Sequence, residues 1–466
     1  MFQMLTEQEI KRIHEASCTV LEQTGVTVLN EKARRIFHAL GAKVDETDYR
    51  VRIPVALVEQ ALQQACGQFT LWDRDGASCI DLMDGNTRGH NVGGCIRIYD
   101  HATGCSRDAT REDLRRLTIL IDALDEIEVV RPVVYPTEFP VQERDIYTAA
   151  VMMENTTKPY GVSSYSMQTQ QKILKMAAAV AGGMENLIAK PFLWGSVTPI
   201  SPLKYSESTT GILMGWAEAG LPLAICPCPI AGGGSPVTLS GTLVQSNAEF
   251  LVGYVLVQAI RPGIPVKYTT RPIPMDLRNG LSNFGAVELG MMSSVIVQLS
   301  KYYHVCSDVY GLSTSALVPD ERAGYEKAMN GLLPMLSGAD LIASAGMLEN
   351  ALSASVEQLV IDNDIIKSMK RVQRGILMDE DALGVQAIDE AVEEGNFLAS
   401  DHTLTYMREE VLFPPLASYA LKQAENNPQS IVDAAAAYAQ QLLASSKPPI
   451  LDDKRREAMY EKLNGG

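Results

Sequence analysis

The chain has 466 residues, more than a single hydrophobic core usually serves, so its length predicts one large domain with appendages or two to three domains. Hydrophobic residues make up 46% of the chain, which argues against a disordered protein. The 56 acidic residues outnumber the 40 basic ones, and the net charge of −16 argues against nucleic acid and against an anionic membrane surface as partners.

The N-terminus predicts neither export nor a membrane anchor. Residues Met1–Leu5 are followed by Thr6–Glu9, so the basic and apolar segments of a secretory signal are not visible. The longest uncharged stretch, residues 219–248, is interrupted by prolines and glycines, which is unlike a membrane-spanning helix. The eight cysteines are scattered without a disulfide-framework spacing, as is typical of reduced thiols, and we therefore expect a cytoplasmic protein.

Residues 1–108 are predicted to form an N-terminal α+β subdomain. Thr6 and Glu9 have the spacing of a capping box, and the helix that they begin is expected to end at Gly25. Two further helices are predicted to begin at Asn30 and Pro54. The extended segments that follow are Gln68–Trp72, Cys79–Leu82 and Cys95–Tyr99.

From residue 109 to residue 420 short apolar segments alternate with longer amphipathic ones, a pattern that predicts parallel strands joined by helices. The candidate strands are Val129–Tyr135, Tyr160–Tyr165, Phe192–Val197, Leu223–Cys228, Val266–Thr270, Val305–Tyr310 and Leu341–Ala345. The clearest helices between them are Gln168–Val180, Thr238–Ile260 and Val287–Tyr302. This many units over about 250 residues predict an α/β protein with a (β/α)₈ TIM barrel, and Leu359–Ile366 is the candidate for the strand that is otherwise missing.

The remaining residues, 421–466, are predicted to form a C-terminal helical extension that begins at about Lys422. Its alanine-rich segment, Ala434–Ala444, suits packing against the barrel or against a neighbouring subunit.

The ends of the predicted strands carry the functional information, because the active site of a TIM barrel is built from the loops that follow them. These loops are rich in Gly, Ser, Thr, Tyr and Pro and poor in Asp, Glu and His. Such a composition suits binding through rings, hydroxyls and backbone groups, and it does not suit a cluster of catalytic carboxylates.

Several segments, taken in order along the chain, resemble the trimethylamine methyltransferase family. They are Asp100–Gly104 with Arg107–Thr110, Ile230–Thr238, Ala323–Lys327, Ser344–Glu349, Val360–Asp362, Gly395–Leu398, His402–Thr403 and Arg408–Glu409. Founding members of that family use pyrrolysine to demethylate trimethylamine, whereas this sequence has only ordinary residues; we expect the corresponding position within Tyr310–Ala316. The resemblance is therefore to the non-pyrrolysine branch, which is associated with quaternary amines such as glycine betaine, proline betaine, carnitine and γ-butyrobetaine.

The resemblance implies an enzyme that transfers a methyl group from a quaternary amine to the cobalt(I) of a cognate corrinoid protein. The sequence contains no Asp-x-His-x-x-Gly segment of a cobalamin-binding module, so we expect the corrinoid on a partner protein. A homo-oligomer is expected, and no bound metal is expected. A quaternary ammonium already carries the charge that makes its tertiary amine a tolerable leaving group, so the chain needs no general acid and no catalytic residue is assigned.

Aromatic faces are the usual recognition element for quaternary ammonium groups. The candidate substrate-binding rings near the predicted strand ends are Tyr135, Tyr165, Trp194, Tyr268, Phe284 and Tyr310. For a betaine carboxylate, Arg271 is the best-placed cation and Ser313 a candidate hydroxyl partner. Each has a plain structural alternative: a ring can fill the core, and Arg271 can belong to a structural ion pair.

A glycine-rich loop is the candidate contact for the corrinoid cofactor. It consists of Gly232, Gly233, Gly234 and Ser235, and it resembles a phosphate cradle if Ser235 caps the next helix and Pro236 takes its first position. A tight turn of the barrel explains the same residues equally well.

Two other functions remain open. Cys226 with Cys228, and His304 with Cys306, each place two metal-ligand types on one strand face, so a zinc-assisted transfer from another methyl donor is an alternative. Buried free thiols have the same pattern. The second alternative is a protein that binds betaines without turnover.

Overall fold

Eight parallel strands form a closed barrel, as the alternating pattern predicts. The structure is a computed structural model that describes residues 2–91, 93–416, 430–446, 449 and 451–465. The strands, numbered in chain order, are β1 Arg88–Asn91, β2 Ile127–Val129, β3 Tyr160–Ser163, β4 Leu193–Val197, β5 Leu223–Ile225, β6 Val266–Tyr268, β7 Cys306–Tyr310 and β8 Leu341–Ala345. Neighbours in the chain are neighbours in the sheet, β8 pairs with β1, and a bridge between Val130 and Tyr160 joins β2 to β3 and closes the ring.

A helix follows each strand and returns the chain to the amino end of the next one. The helices are α1 Arg111–Asp122, α2 Arg144–Asn155, α3 Met167–Ala181, α4 Glu207–Ala219, α5 Leu239–Ile260, α6 Val287–Tyr302, α7 Glu321–Leu336 and α8 Val356–Arg374, with a short extra helix at Met184–Ala189. Among the described residues α5 alone is long and apolar enough to span a membrane, and most of it is buried. A helix that is apolar on all sides is typically covered by other parts of the protein on all sides.

The strand that the sequence did not predict is β1. The candidate Leu359–Ile366 was wrong, because these residues lie inside α8, where Leu359, Val360 and Ile366 are buried. A short apolar run such as Leu359–Ile361 occurs in a buried helix as well as in a strand, and periodicity alone does not distinguish the two. The observed strand β1 belongs to the segment 1–108, so the barrel sheet contains residues from both sides of the predicted domain boundary at residue 108. The division into domains stays a prediction.

The N-terminal unit packs against α5 and α6 on the outside of the barrel. It contains the helices Glu7–Thr19, Glu31–Ala39 and Val55–Leu62, a π-helical turn Val20–Thr24, and the strands Val26–Val28, Lys43–Asp45 and Arg50–Arg52. Arg50–Arg52 lies between the other two strands, and Val26–Val28 also pairs with Lys204–Tyr205. Thr6 and Glu9 form the predicted capping box, and the turn after the first helix ends at Gly25.

A hairpin seals the amino end of the barrel. Its strands are Thr70–Trp72 and Cys79–Asp81, and its buried side chains Phe69, Leu71 and Leu82 pack together with the interior residues of the strands. These interior residues are Val129, Trp194, Ala224, Cys306 and Leu341.

Two small sheets lie over the carboxyl end. One consists of Ile230–Ala231, Ile273–Asp276 and Leu281–Ser282, in the loops after β5 and β6. The other joins the loops after β8 and β1 through Met347–Leu348, Ser353–Ala354, Arg97–Asp100 and Cys105–Asp108, beside a 3₁₀ turn at Glu349–Ala351.

The C-terminal part of the chain is helical, as predicted, where the structure describes it. Within the predicted extension the helices are Ile431–Ser445 and Asp453–Asn464, and two more helices, Val385–Glu394 and Asp401–Glu410, lie in the segment predicted to belong to the barrel domain. The predicted beginning of the extension at Lys422 lies outside the described residues. Helix Ile431–Ser445 contains the alanine-rich segment and packs against α8 and α1 of the same chain, with Ala434, Ala435 and Ala439 buried.

Candidate active site

A buried group of charges spans the inside of the barrel between β6 and β7. The Lys267 Nζ lies 2.9 Å from Asp308 Oδ2, and Arg271 Nη2 lies 2.5 Å from Asp308 Oδ1. All three side chains are buried. Burial raises the pKa of Asp308, but the ammonium and the guanidinium outweigh burial and hold that pKa well below its ordinary value. Asp308 is therefore a carboxylate between two cations.

His90 and Trp194 adjoin these charges on the inner side of β1 and β4. The Lys267 Nζ lies 3.7 Å from the Trp194 ring centroid, and the rings of His90 and Trp194 are 6.2 Å apart. The Nδ1 of His90 lies 2.5 Å from the Asn91 carbonyl oxygen, whereas its Nε2 is buried without a hydrogen-bond partner among the described residues. Burial lowers the pKa of His90 to about 3, so the ring is neutral at pH 7.

Arg271 connects this interior to the carboxyl end. Its Cζ lies 4.5 Å from the Tyr310 ring centroid, and the Phe284 ring lies 5.5 Å beyond Tyr310. The Arg271 Nη1 is buried and has no hydrogen-bond partner among the described residues. A guanidinium N–H in that state is costly unless an acceptor occupies the space that it faces, so it favours an anionic ligand.

A second guanidinium, from Arg131, faces the same space from the loop after β2. Its Nη2 donates to Ser163 Oγ at 2.6 Å, and its charge acts on the ionisation of Tyr310 and of Cys226. With Lys267 and Arg271 this gives three cations around the carboxylate of Asp308, and the buried carboxylate of Asp145 lies beside Tyr135 and Tyr165. The side of the carboxyl end formed by Arg131, Lys267 and Arg271 is therefore rich in positive charge, within a chain that is strongly acidic overall.

Two thiols lie beside the guanidiniums at the end of β5. The Sγ atoms of Cys226 and Cys228 are 3.5 Å apart. The hydrogen bond from Cys228 lowers the pKa of Cys226 to about 7 despite burial, with a further contribution from Arg271. The same pairing raises the pKa of Cys228.

The structure brings most of the predicted substrate residues to the carboxyl end. Tyr135 and Tyr165 stack with their centroids 6.2 Å apart, next to Arg131, and Tyr165 is 45% exposed. Phe284 and Tyr310 lie on the other side, next to Arg271. The predicted residues that lie at this end are Tyr135, Tyr165, Arg271, Phe284, Tyr310 and Ser313.

Ser313 is deeper than predicted. Its hydroxyl donates to Ser344 Oγ at 3.2 Å, and both side chains are buried between the loops after β7 and β8. This hydrogen bond joins the loop after β7 to β8.

Trp194 and Tyr268 do not lie at the mouth, contrary to the sequence-based expectation. Trp194 belongs to the cluster that fills the amino end, below Lys267. Tyr268 points out of the barrel, where its hydroxyl donates to Asn247 Oδ1 at 2.8 Å and its ring packs 4.1 Å from Phe250 of α5. The cause is strand alternation: with Lys267 inside, Tyr268 must face the helices.

The glycine-rich loop is a closed turn. The N–H groups of Gly233, Gly234 and Ser235 all donate to the Ile230 carbonyl, and the N–H of Gly232 donates to the Ser235 carbonyl. The N–H groups that a phosphate cradle presents are therefore occupied.

The expected cap of helix α5 at Ser235 was also wrong. The Ser235 hydroxyl bonds to Thr242 Oγ1, and the side chain of Thr238 accepts from the N–H of Gly241 at the start of the helix. A contact between the glycine-rich loop and the corrinoid stays a prediction.

The four residues of the zinc alternative lie at opposite ends of the barrel. Cys226 and Cys228 follow β5 at the carboxyl end, whereas His304 precedes β7 and Cys306 begins it, at the amino end. Within the described ranges no three His, Cys, Asp or Glu side chains form a group suited to a metal. The predicted four-residue combination is thus not assembled.

The sequence analysis did not identify Arg131, Lys267, Asp308 and His90 as candidate site residues. The signal was a charged residue inside an otherwise apolar strand, as in Val266-Lys267-Tyr268. Barrel strands are buried on both faces, and a buried charge persists only with a partner or a ligand.

Around the mouth each of the eight loops that follow the strands exposes a large apolar side chain. These side chains, called the apolar rim below, are Ile96, Val141, Tyr165, Ile200, Val237, Leu277, Leu317 and Leu352, each between 42% and 66% exposed. Exposed apolar groups collected on one face are typical of a surface that binds another macromolecule.

Comparisons with known proteins agree with this picture. The family model described as trimethylamine methyltransferase matches residues 1–463. The chain is 34% identical over 403 residues to a trimethylamine methyltransferase from Desulfitobacterium hafniense, which covers 86% of this chain and 81% of the relative. It is 29% identical over 459 residues to a glycine betaine methyltransferase of the same species, covering 97% and 94%.

The solved structure of the monomethylamine methyltransferase from Methanosarcina barkeri has a similar fold. It superposes with a TM-score of 0.52 and 12% identity, covering 94% of this chain and 93% of that one. At this identity the similarity concerns the fold alone, and it agrees with the closed barrel described above.

Proposed function

Because this chain belongs to the trimethylamine methyltransferase family and is a methyltransferase, we propose that it moves a methyl group from a carboxylate-bearing quaternary amine to the cobalt(I) of a separate corrinoid protein, without pyrrolysine. Glycine betaine, proline betaine and carnitine are the candidate amines. The single observation that carries the proposed substrate class is the buried Arg271 Nη1, which has no acceptor among the described residues and lies beside aromatic rings.

The charges at the mouth support a substrate that brings its own anion. Arg131, Arg271 and Lys267 surround the Asp308 carboxylate, so this side of the mouth favours an anionic group of the substrate. A betaine carries a carboxylate that a guanidinium binds well. Its ammonium can then be held by ring faces, each contributing about 0.5–2 kcal/mol.

Four rings are available for the ammonium group. Tyr135 and Tyr165 form a stacked pair on one side of the mouth, and Phe284 and Tyr310 form a pair on the other. In the proposed complex the carboxylate binds Arg271 and the rings hold the methyl groups toward the open end.

The residues of this chain then act by binding, orientation and exclusion of water. The tertiary amine leaves without a proton, so a general acid is not required, and the neutral buried His90 is consistent with this. The corrinoid, when its carrier is docked, supplies the cobalt(I) nucleophile that accepts the methyl group. Fixing the methyl carbon in line with that nucleophile lowers the barrier through orientation and desolvation.

The apolar rim supports docking of the corrinoid protein at this face. The rim residues come from all eight loops at the carboxyl end, the end toward which the substrate methyl groups would point. A ring of apolar groups fits a partner that must cover the mouth while the methyl group is transferred.

A homo-oligomer in the cytoplasm remains part of the proposal. Helices Val385–Glu394 and Asp401–Glu410 and the turn between them expose large apolar side chains away from the barrel, among them Leu398 and Leu404. Light scattering on the purified chain would measure the subunit number directly, and a monomeric mass would contradict the expected oligomer.

The test of the reaction class is an anaerobic spectral assay. Cobalt(I) cobalamin, or the native corrinoid protein, is mixed with the purified chain and one amine at a time, and formation of methyl-cobalt(III) is followed. We expect methylation with one of the betaines and none with trimethylamine. Absence of methylation with every amine, with the native corrinoid protein supplied, would contradict the proposal; tight betaine binding in the same preparation would then indicate the alternative of a betaine-binding protein.

A further inference from the structure

Cys226 and Cys228 form a pair of thiols that the proposed methyl transfer does not use. They follow β5 directly and are separated only by Pro227, so their side chains point to the same side of the chain, with the sulfur atoms 3.5 Å apart. Among the eight cysteines, all in the described ranges and all reduced, this is the pair in which one sulfur contacts another.

The backbone holds the two thiols in this arrangement from both neighbouring strands. The N–H of Cys226 donates to the Val197 carbonyl at 2.8 Å, at the end of β4. The N–H of Arg271 donates to the Pro227 carbonyl at 2.7 Å, beyond the end of β6. Because proline fixes its own φ as well, the thiols are positioned before any reaction takes place.

The surroundings make one of the thiols a nucleophile. Cys226 is buried next to the Arg271 guanidinium, and the hydrogen bond between its sulfur and that of Cys228 keeps its pKa at about 7. Cys228 is partly exposed, so a small molecule can approach the pair from the mouth. An activated thiolate beside a resolving thiol is the arrangement that reversible oxidation requires.

We propose that Cys226 and Cys228 are a redox-active pair that closes to a disulfide when the protein meets a peroxide. The Cys226 thiolate attacks one oxygen of hydrogen peroxide, the O–O bond breaks, and a sulfenic acid and hydroxide form. The Cys228 sulfur then attacks the oxidised sulfur, the S–S bond forms, the S–O bond breaks, and the oxygen leaves as water with the thiol proton. In sum two thiols are oxidised, one peroxide is reduced to two waters, and a thiol reductant reverses the change.

Closure alters the charge at the mouth. The disulfide has no ionisable group, so the negative charge of the Cys226 thiolate next to Arg271 disappears. The pair thus lets an oxidant change the electrostatics of the site at which we place the substrate carboxylate. The chemistry of the pair itself does not depend on the proposed methyl transfer.

The test needs neither amine nor corrinoid, so its failure is distinct from failure of the proposed function. The reduced full-length chain is treated with hydrogen peroxide, quenched with N-ethylmaleimide, digested and examined by mass spectrometry. We expect the peptide that contains both cysteines to lose two hydrogen atoms and all maleimide labelling, and to regain labelling after dithiothreitol. A second arm of the test varies the pH, and the rate of closure should rise with a midpoint near pH 7.

Two variants separate the pair from general thiol oxidation. Cys228→Ser should abolish the mass loss and leave Cys226 to oxidise to a sulfinic acid. Cys105→Ser removes an exposed cysteine at the same end of the barrel and should leave closure unchanged. The proposal is overturned if the exposed Cys66, Cys79 and Cys105 oxidise while Cys226 and Cys228 stay labelled, or if Cys226 becomes sulfinic in the unmodified chain without closing.

Discussion

The two ends of the barrel differ in what fills them. At the amino end Phe69 and Leu71 of the hairpin pack against Trp194 and leave an apolar plug. The carboxyl end of the barrel is lined by guanidiniums, rings and thiols, and Arg271 Nη1 there has no hydrogen-bond partner among the described residues. The amino end therefore contributes packing energy, whereas the carboxyl end presents polar groups to a ligand. The buried charges of Lys267, Asp308 and Arg271, called the charged layer below, lie between the two ends.

The connecting loops follow the same division. In the loops at the amino end the apolar residues Leu124, Leu221, Ile264 and Val305 are buried, whereas Met184 and Ile188 before β4 are 37% and 36% exposed. Loops at the carboxyl end expose theirs as the apolar rim. This contrast shows that a TIM barrel can devote one face to stability and the other to binding without a change of fold.

The largest effect is expected in the charged layer between the two ends. Asp308→Ala leaves Lys267 and Arg271 buried without their counter-charge, and it should lower the free energy of unfolding by about 3–5 kcal/mol. Denaturant unfolding followed by circular dichroism measures this loss. The control Glu31→Ala removes the exposed pair with Arg35 and should leave the unfolding curve unchanged. A similar small change for both variants would contradict the role given to Asp308.

A change in the plug should affect stability alone. Leu71→Ala opens a cavity in a fully buried cluster and should cost about 2–5 kcal/mol of unfolding free energy. At a temperature where the variant is folded, its kcat for methyl transfer should equal that of the unmodified chain. A reduced kcat in the folded variant would show that the two ends are coupled.

The pH dependence of stability tests the buried His90. Because burial lowers the folded pKa to about 3, below an unfolded value near 6.5, the unfolded state binds one proton more between these pH values. The neutral ring contributes its full stability above about pH 6.5, and this contribution falls by about 1.4 kcal/mol per pH unit as the pH decreases toward 3. From pH 6.5 to pH 5 the loss is about 2 kcal/mol. His90→Gln should remove that slope, and an equal slope in both proteins would argue against a neutral His90.

The apolar rim should affect partner binding and not stability. Replacing Leu277 and Leu317 by Glu places charge on two exposed rim positions and should weaken binding of the corrinoid protein about ten-fold or more, as for anchors of other interfaces. The unfolding free energy should change by less than about 0.5 kcal/mol, as is usual for exposed positions. Isothermal titration with the corrinoid protein gives the affinity. The exposed Val372, on α8 away from the mouth, provides the matched control as Val372→Glu.

The smallest effect is expected at Tyr268, which the structure places outside the barrel. Tyr268→Phe removes one hydrogen bond to Asn247 and should cost about 1 kcal/mol of stability. Its KM for the amine should not change. A raised KM would return Tyr268 to the substrate site, where the sequence had placed it.

The regular parts of this fold could be predicted because their patterns are strong. Strand β8 at Leu341–Ala345 and helix α6 at Val287–Tyr302 have the predicted bounds, since an apolar run and a long amphipathic repeat identify them. Strand β1 could not be found, because Arg88-Gly89-His90-Asn91 contains no apolar side chain and is stabilised by partners from distant strands.

The candidate site was predictable only in part for a similar reason. Tyr310 is the last residue of β7 and Arg271 follows the end of β6, so the predicted barrel was enough to place both at the carboxyl end. Whether Tyr268 faces the barrel interior or the helices depends on a shift of one residue along the strand. Trp194 lies near the beginning of β4, and its ring therefore packs in the apolar cluster at the amino end. The ion pair between Lys267 and Asp308 could not be predicted, because it depends on the pairing of β6 with β7 in the barrel.

The central claim is that Arg271 binds the carboxylate of a quaternary amine at the carboxyl end. The most direct measurement compares methyl transfer to cobalt(I) from glycine betaine and from choline, which lacks the carboxylate, for the unmodified chain and for Arg271→Gln, with folding checked by circular dichroism. We expect the variant to lose about 10- to 100-fold in kcat/KM with the betaine, and far less with choline. An equal loss with both substrates, or no loss with either, would contradict it.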